Sequence, residues 1–119
     1  MNTWSFYDSI GSPSYLLALA PFFKSLSEIV ETDVFIVESM SIQTQKGMND
    51  CGLFALANLI SICKGIDPCS LKLKQNKMRE HYNSSLDKLK FEIFPHDTKT
   101  CRKNVKETNI YNCNLQKFN

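Results

Sequence analysis

Cys51 stands between two unlike stretches: a polar run from Ser41 to Asn49 precedes it, and a strongly apolar run from Leu53 to Cys63 follows. A sulfur at the start of a helix lies where the macrodipole and the free N–H groups favour a thiolate over a thiol. Gly52 leaves space beside it for an approaching substrate backbone. Gln45, six positions earlier, carries an amide N–H₂ that can reach the oxygen of a tetrahedral intermediate, with the Cys51 backbone N–H as second donor. A nucleophile and an oxyanion donor are the beginnings of acyl-transfer chemistry. The same residue types also fit a plainer arrangement, with Cys51 a small inert core residue and Gln45 a solvated loop side chain.

The rest of the sequence offers little competing chemistry. Five cysteines are an odd number, scattered without a CxxC pair, which speaks against a disulfide framework and for reduced intracellular thiols. His96, Cys101 and Cys113 lie farther apart than the tight ligand pairs of zinc sites and have no evident fourth partner. A chain of 119 residues with 43% apolar content has room for one small core. Its net charge of +2 is too balanced for disorder and too small to argue for nucleic acid. The Lys and Arg residues between Lys72 and Arg102 read as a solvated face. No stretch reaches the ~20 apolar residues of a membrane span. The run from Tyr15 to Phe23 lacks the basic start of a secretory peptide.

The elements that must position Cys51 emerge from periodicity. Trp4 and Phe6 alternate with Ser5 as in a short strand over Thr3 to Tyr7, with Asp8 at its end. After the turn residues Ser9, Gly11, Ser12 and Pro13, the positions Leu16, Leu19, Phe22, Phe23, Leu26, Ile29 and Val30 recur at helical spacing. Pro21 inside that pattern either kinks the helix or marks its start. Val34 to Val37 predict a buried second strand, and Leu53 to Cys63 a helix surrounded by core on all sides. Gly65 reads as its stop, and Asp67-Pro68 as a new cap and first turn. Met78, Tyr82, Leu86 and Leu89 mark the apolar stripe of a surface helix, with Lys74, Lys77, Arg79 and Lys88 opposite. Phe91, Ile93, Phe94 and Pro95 close the domain, and residues 96–119 read as a flexible, polar, basic tail with little to bury.

The string from Gln45 to Phe54, with Asp50-Cys51-Gly52 at its centre, resembles the nucleophile motif of the ubiquitin-like-protein-specific (SUMO/sentrin-type) cysteine proteases. In that family a glutamine stands six positions before an Asp-Cys-Gly triplet opening the central helix. Phe6-Tyr7-Asp8-Ser9-Ile10 resembles the family's strand ending in Tyr-Asp-Ser-Leu. Asp67-Pro68, the stretch Lys77 to His81, and Phe94-Pro95 look like its divergent members associated with transposable elements. The resemblance covers about residues 3 to 95 and implies an α+β, papain-like fold, represented over 1–95 by the C-terminal part of the catalytic domain. It assigns Cys51 as nucleophile, Gln45 as oxyanion-hole donor and Asp8 as the group orienting the catalytic histidine. It implies no cofactor, a ubiquitin-like modifier or its conjugates as partner, a nuclear or cytoplasmic setting, and hydrolysis at the modifier's Gly-Gly end. The family's catalytic histidine lies on the strand before the Tyr-Asp-Ser strand, and seven residues ahead of Asp8 leave it no room. Neither His81 nor His96 falls at the family's position, so this chain alone is expected to be a weak protease. The alternative is a catalytically dead remnant that at most binds a modifier.

Overall fold

A computed structural model describes residues 2–11, 18–100, 105–112 and 117–118. The architecture is α+β, and the chain divides into two compact units, residues 1–6, 11–40 and 105–119 forming one and residues 7–10 and 41–104 the other.

In the first unit, β1 (Asn2–Phe6) runs parallel to β2 (Val34–Met40), with Trp4 opposite Val37. A parallel pair needs a crossover, and the helix α1 (Ala20–Ile29) lies between the two strands in sequence. Pro21 sits in its first turn, where a missing N–H costs nothing, so the proline marks the helix start and does not kink it. Leu16 falls outside the described residues. Phe23 and Ser27 are the buried positions of α1, whereas Phe22, Ile29 and Val30 are exposed, so the apolar stripe is narrower than the spacing predicts.

β2 also pairs antiparallel with β5 (Val105–Asn112), which pairs with β6 (Lys117–Phe118). The segment expected to be a flexible tail with little to bury therefore supplies strands. Asn109 and Tyr111 are buried while Thr108 and Ile110 are exposed, a period of two concealed in the sequence by the charges of Lys106 and Glu107. Trp4 stacks on Phe35 at 4.1 Å between ring centroids, and Phe35 on Tyr111 at 5.0 Å, so three strands are joined by aromatic faces.

The second unit is built on α2 (Cys51–Cys63). Gly65, at φ +75°, ends it: Ile66 N–H bonds Ser61 C=O at 2.8 Å and Gly65 N–H bonds Ile62 C=O at 3.0 Å. This is the paired closure that an αL residue permits. Phe54, Ala57 and Ile60 pack with Leu71, Leu73, Met78 and Phe94. The helix is not surrounded on all sides as expected, because Leu59 is 57% exposed and Ile62 45%. Asp67 does cap the next element, accepting from Cys69 N–H at 2.9 Å, but that element is a single 3₁₀ turn, Pro68–Ser70. β3 (Leu71–Leu73) then pairs with β4 (His96–Thr98).

The surface helix α3 (Met78–Lys88) buries Met78 and half-buries Tyr82, then departs from its expected stripe. Ser85 takes the inner face, its hydroxyl satisfied by His81 C=O at 2.9 Å, while Leu86 and Leu89 are exposed. The helix stops at Lys88, and Leu89 adopts a left-handed conformation beyond it. A further correction concerns the thiols: Cys69 is disulfide-bonded, whereas Cys51 and Cys63 are free. Odd cysteine counts exclude complete pairing, not a single bond. Among the described residues no helix is long and apolar enough to cross a membrane.

Phe94 is fully buried in the core beside α2. Phe94→Ala is expected to destabilise the protein by about 3–5 kcal/mol, read as a lower urea midpoint with an unchanged slope. A loss under about 1 kcal/mol would mean that the Phe94 site is not packed as described.

Candidate functional site

Asp8, Gln45 and Cys51 all fall in the second unit. The turn at residues 7–10 is shaped by Asp8, whose Oδ1 accepts the Ile10 N–H at 2.9 Å. Its Oδ2 has no hydrogen-bond partner among the described residues. Ser9 then ties this turn to the loop ahead of the nucleophile: its C=O accepts the Gln45 N–H at 2.7 Å and its hydroxyl donates to Gln45 Oε1 at 2.5 Å.

These bonds decide how Gln45 is used. The side chain is 7% exposed, so it is not the solvated loop residue of the plainer reading. With Oε1 occupied by Ser9, Nε2 points to the opposite side and gives one hydrogen to Gly47 C=O at 2.9 Å. Gly47 makes that turn at φ +73°, a conformation costly for any residue with a Cβ. The second amide hydrogen of Gln45 has no acceptor among the described residues, leaving one donor available.

Cys51 is the first residue of α2 and is exposed, so it is not a sealed core thiol. Asp50 occupies the cap position but makes no side-chain cap bond. Its carboxylate turns instead to Gln75 Nε2, at 2.8 Å from Oδ2, and to the Arg79 guanidinium, at 2.6 Å from Oδ1. Phe54 N–H bonds Asp50 C=O at 3.0 Å, and the N–H groups before it are left without a side-chain cap. Asn49, Gly52, Leu53, Leu56, Arg79, Tyr82 and Asn83 line an open cleft of about 480 Å³; Gly52 follows the cysteine in the chain, but Cys51 and Gln45 themselves do not line it.

Neither histidine lines that cleft, and each has one ring nitrogen engaged by a backbone carbonyl. His81 Nε2 pairs with Glu92 C=O at 3.1 Å and its ring lies 4.6 Å from that of Phe94, while His96 Nδ1 pairs with Phe94 C=O at 2.7 Å. Among the described residues no three His, Cys, Asp or Glu side chains converge as metal ligands. Cys101 and Cys113, weighed with His96 as ligands, lie outside the described residues.

Sequence reasoning missed Ser9, Gln75 and Arg79 as members of the site. Ser9 belongs to the Tyr-Asp-Ser string, which is the signal that could have found it. Gln75 and Arg79 act across 25 to 29 residues, and no local pattern reports that.

The Asp50 carboxyl is held below its ordinary value of 3.8, chiefly by the Gln75 amide; burial works the other way, and the hydrogen bond and charge of Arg79 add to the lowering. A lowered folded-state value means that the stabilisation is present above the ordinary carboxylate range and is lost as pH falls through the folded value. In Gln75→Ala the Asp50 carboxyl should titrate at higher pH than in the parent, measured by carboxyl-carbon NMR. The parent's stability advantage over that variant at neutral pH should shrink on acidification by the part that the Asp50 bond contributes, leaving the part that the Lys46 bonds of Gln75 contribute. Identical titration curves would show that the hydrogen bond does not act on the carboxylate.

Compared with known proteins, the chain matches no family model, no curated protein and no solved structure.

Proposed function

We propose that the chain carries the nucleophile half of a papain-like cysteine peptidase that hydrolyses the C-terminal Gly-Gly linkage of a ubiquitin-like modifier. The observation that carries this reading is the Ser9–Gln45 pair. It joins the Asp8 turn to the loop before an exposed Cys51 and leaves one Gln45 amide hydrogen without an acceptor among the described residues.

The chemistry derives from those positions. The Cys51 thiolate adds to the scissile carbonyl, forming a C–S bond and a tetrahedral oxyanion that Gln45 Nε2–H and the Cys51 N–H stabilise. Collapse expels the amine, which takes a proton from an imidazolium, and water then releases the acyl group from sulfur. Asp8 Oδ2 is the oxygen available to orient that imidazole. The cleft beside Gly52, lined by Leu53, Leu56 and Tyr82, is the place for the substrate chain.

A second reading is favoured by one observation: both described histidines are engaged with backbone carbonyls elsewhere. On that reading the chain binds a modifier and does not turn it over. A modifier bearing a C-terminal electrophile separates the two. Covalent labelling at Cys51, lost in Cys51→Ala, supports the peptidase, and non-covalent binding by both proteins without labelling supports the binding module. Where hydrolysis of a modifier amide is measurable, Gln45→Ala should slow it about 10²- to 10³-fold. Labelling that persists in Cys51→Ala removes the nucleophile assignment.

A further inference from the structure

Outside the three residues assigned above, the densest polar contacts bordering the nucleophile join Gln75 and Arg79 to the residues 46–50. Gln75 uses both ends of its amide. Oε1 accepts Lys46 N–H, and Nε2 donates to Lys46 C=O and to Asp50 Oδ2, each at 2.8 Å. It thus bonds Lys46 through both main-chain groups, as a neighbouring strand would. Arg79 donates to Asp50 Oδ1 at 2.6 Å and to Asn49 C=O at 3.3 Å.

These bonds have two consequences for the residue next in the chain. The backbone leading into Cys51 is fastened at Lys46, Asn49 and Asp50, which limits where the sulfur can be carried. The Asp50 charge is also paired, with the Arg79 guanidinium. Left uncompensated, a carboxylate adjacent in sequence to the thiolate would oppose the negative charge that attack on a carbonyl requires. The other charged groups lining the cleft around this carboxylate are Lys46, Lys72, Lys74 and Asp97, of which Lys74 and Asp97 pair at 3.8 Å.

We propose that Gln75 and Arg79 are positioning residues for Cys51, Gln75 by fixing the backbone that delivers it and Arg79 by neutralising its neighbour Asp50. The proposal rests on the reading of Cys51 as nucleophile, and its test separates the two. The full chain is alkylated with iodoacetamide near neutral pH and the modified peptides are counted by mass spectrometry, with Cys63 as the exposed reference thiol in the same molecule. Arg79→Ala should slow Cys51 about fivefold while leaving Cys63 unchanged. Arg79→Lys, which keeps the charge, should recover most of the rate. Arg79→Ala combined with Asp50→Asn should also recover it, because no charge is left to compensate, whereas removing a second structural contact would only deepen a structural loss. In Gln75→Ala, amide exchange over residues 46–50 should rise about tenfold.

The Arg79 side chain is 66% exposed, so its replacement leaves the core intact. A parent Cys51 no faster than Cys63 overturns the nucleophile reading. A fast parent Cys51 that stays equally fast in Arg79→Ala overturns the role of Arg79 alone, and failure of the double variant to recover overturns the charge argument. Unchanged exchange in Gln75→Ala overturns the role of Gln75.

Discussion

A carboxylate at the cap position of a helix has a choice of partners, and Asp50 makes it against the helix. Capping would satisfy one of the first N–H groups of α2 and place a negative charge on the end of the helix where the dipole favours it. The carboxylate is instead held by Gln75 and Arg79, and no side chain closes the helix start. The cap bond that Asp50 forgoes is replaced by bonds to Gln75 and Arg79. The arrangement leaves a row of N–H groups beside an exposed thiol, donors that a negatively charged oxygen can use.

The same economy governs Gln45. A buried amide must satisfy its acceptor and its donors or lose their hydration. Ser9 takes the acceptor, Gly47 takes one donor, and the remaining hydrogen is fixed in direction because the other bonds fix the plane of the amide. Orientation is thus imposed by partners that do no chemistry themselves. Replacing the Ser9 hydroxyl would free the amide to rotate, so the serine matters as much as the glutamine for where that hydrogen points.

The legible parts of the fold are those with strong local signals. The β1 alternation, the apolar α2 and its Gly65 stop each rest on neighbours within a few residues, whereas Pro21 fits a kink or a start equally well until the bounds of α1 are known. Cys51, Gln45 and Asp8 are picked out as a set only by a resemblance, since spacing alone leaves the inert reading of Cys51 standing. The hidden parts depend on distant partners. β5 carries two charges and is a strand because β2 offers it a ladder, with Tyr111 packing on Phe35. Leu86 and Leu89 fit an apolar stripe by spacing, yet Leu89 lies beyond the helix end and Leu86, within the helix, is exposed, while Ser85 fits inside because its hydroxyl is bonded to the turn before it. The disulfide at Cys69 is invisible to a count that shows only that five cannot all pair.

The histidines bear on how far this chemistry can run. His81 leans on the ring of Phe94 and pairs with Glu92 C=O, and His96 pairs with Phe94 C=O, so each helps to hold the chain around the most deeply buried aromatic of its unit. One ring nitrogen of each is thereby committed to the backbone. Attack by sulfur and stabilisation of the oxyanion need only Cys51, Gln45 and the helix start, whereas expulsion of an amine needs a proton donor, a contribution of roughly 10²- to 10⁴-fold. On the proposed reading, the described side chains suit the acylation of sulfur by a reactive carbonyl better than repeated turnover of an amide. Asp8 spends one oxygen on its own turn and keeps the other unpaired among the described residues, the oxygen that the proposed reading assigns to an imidazole.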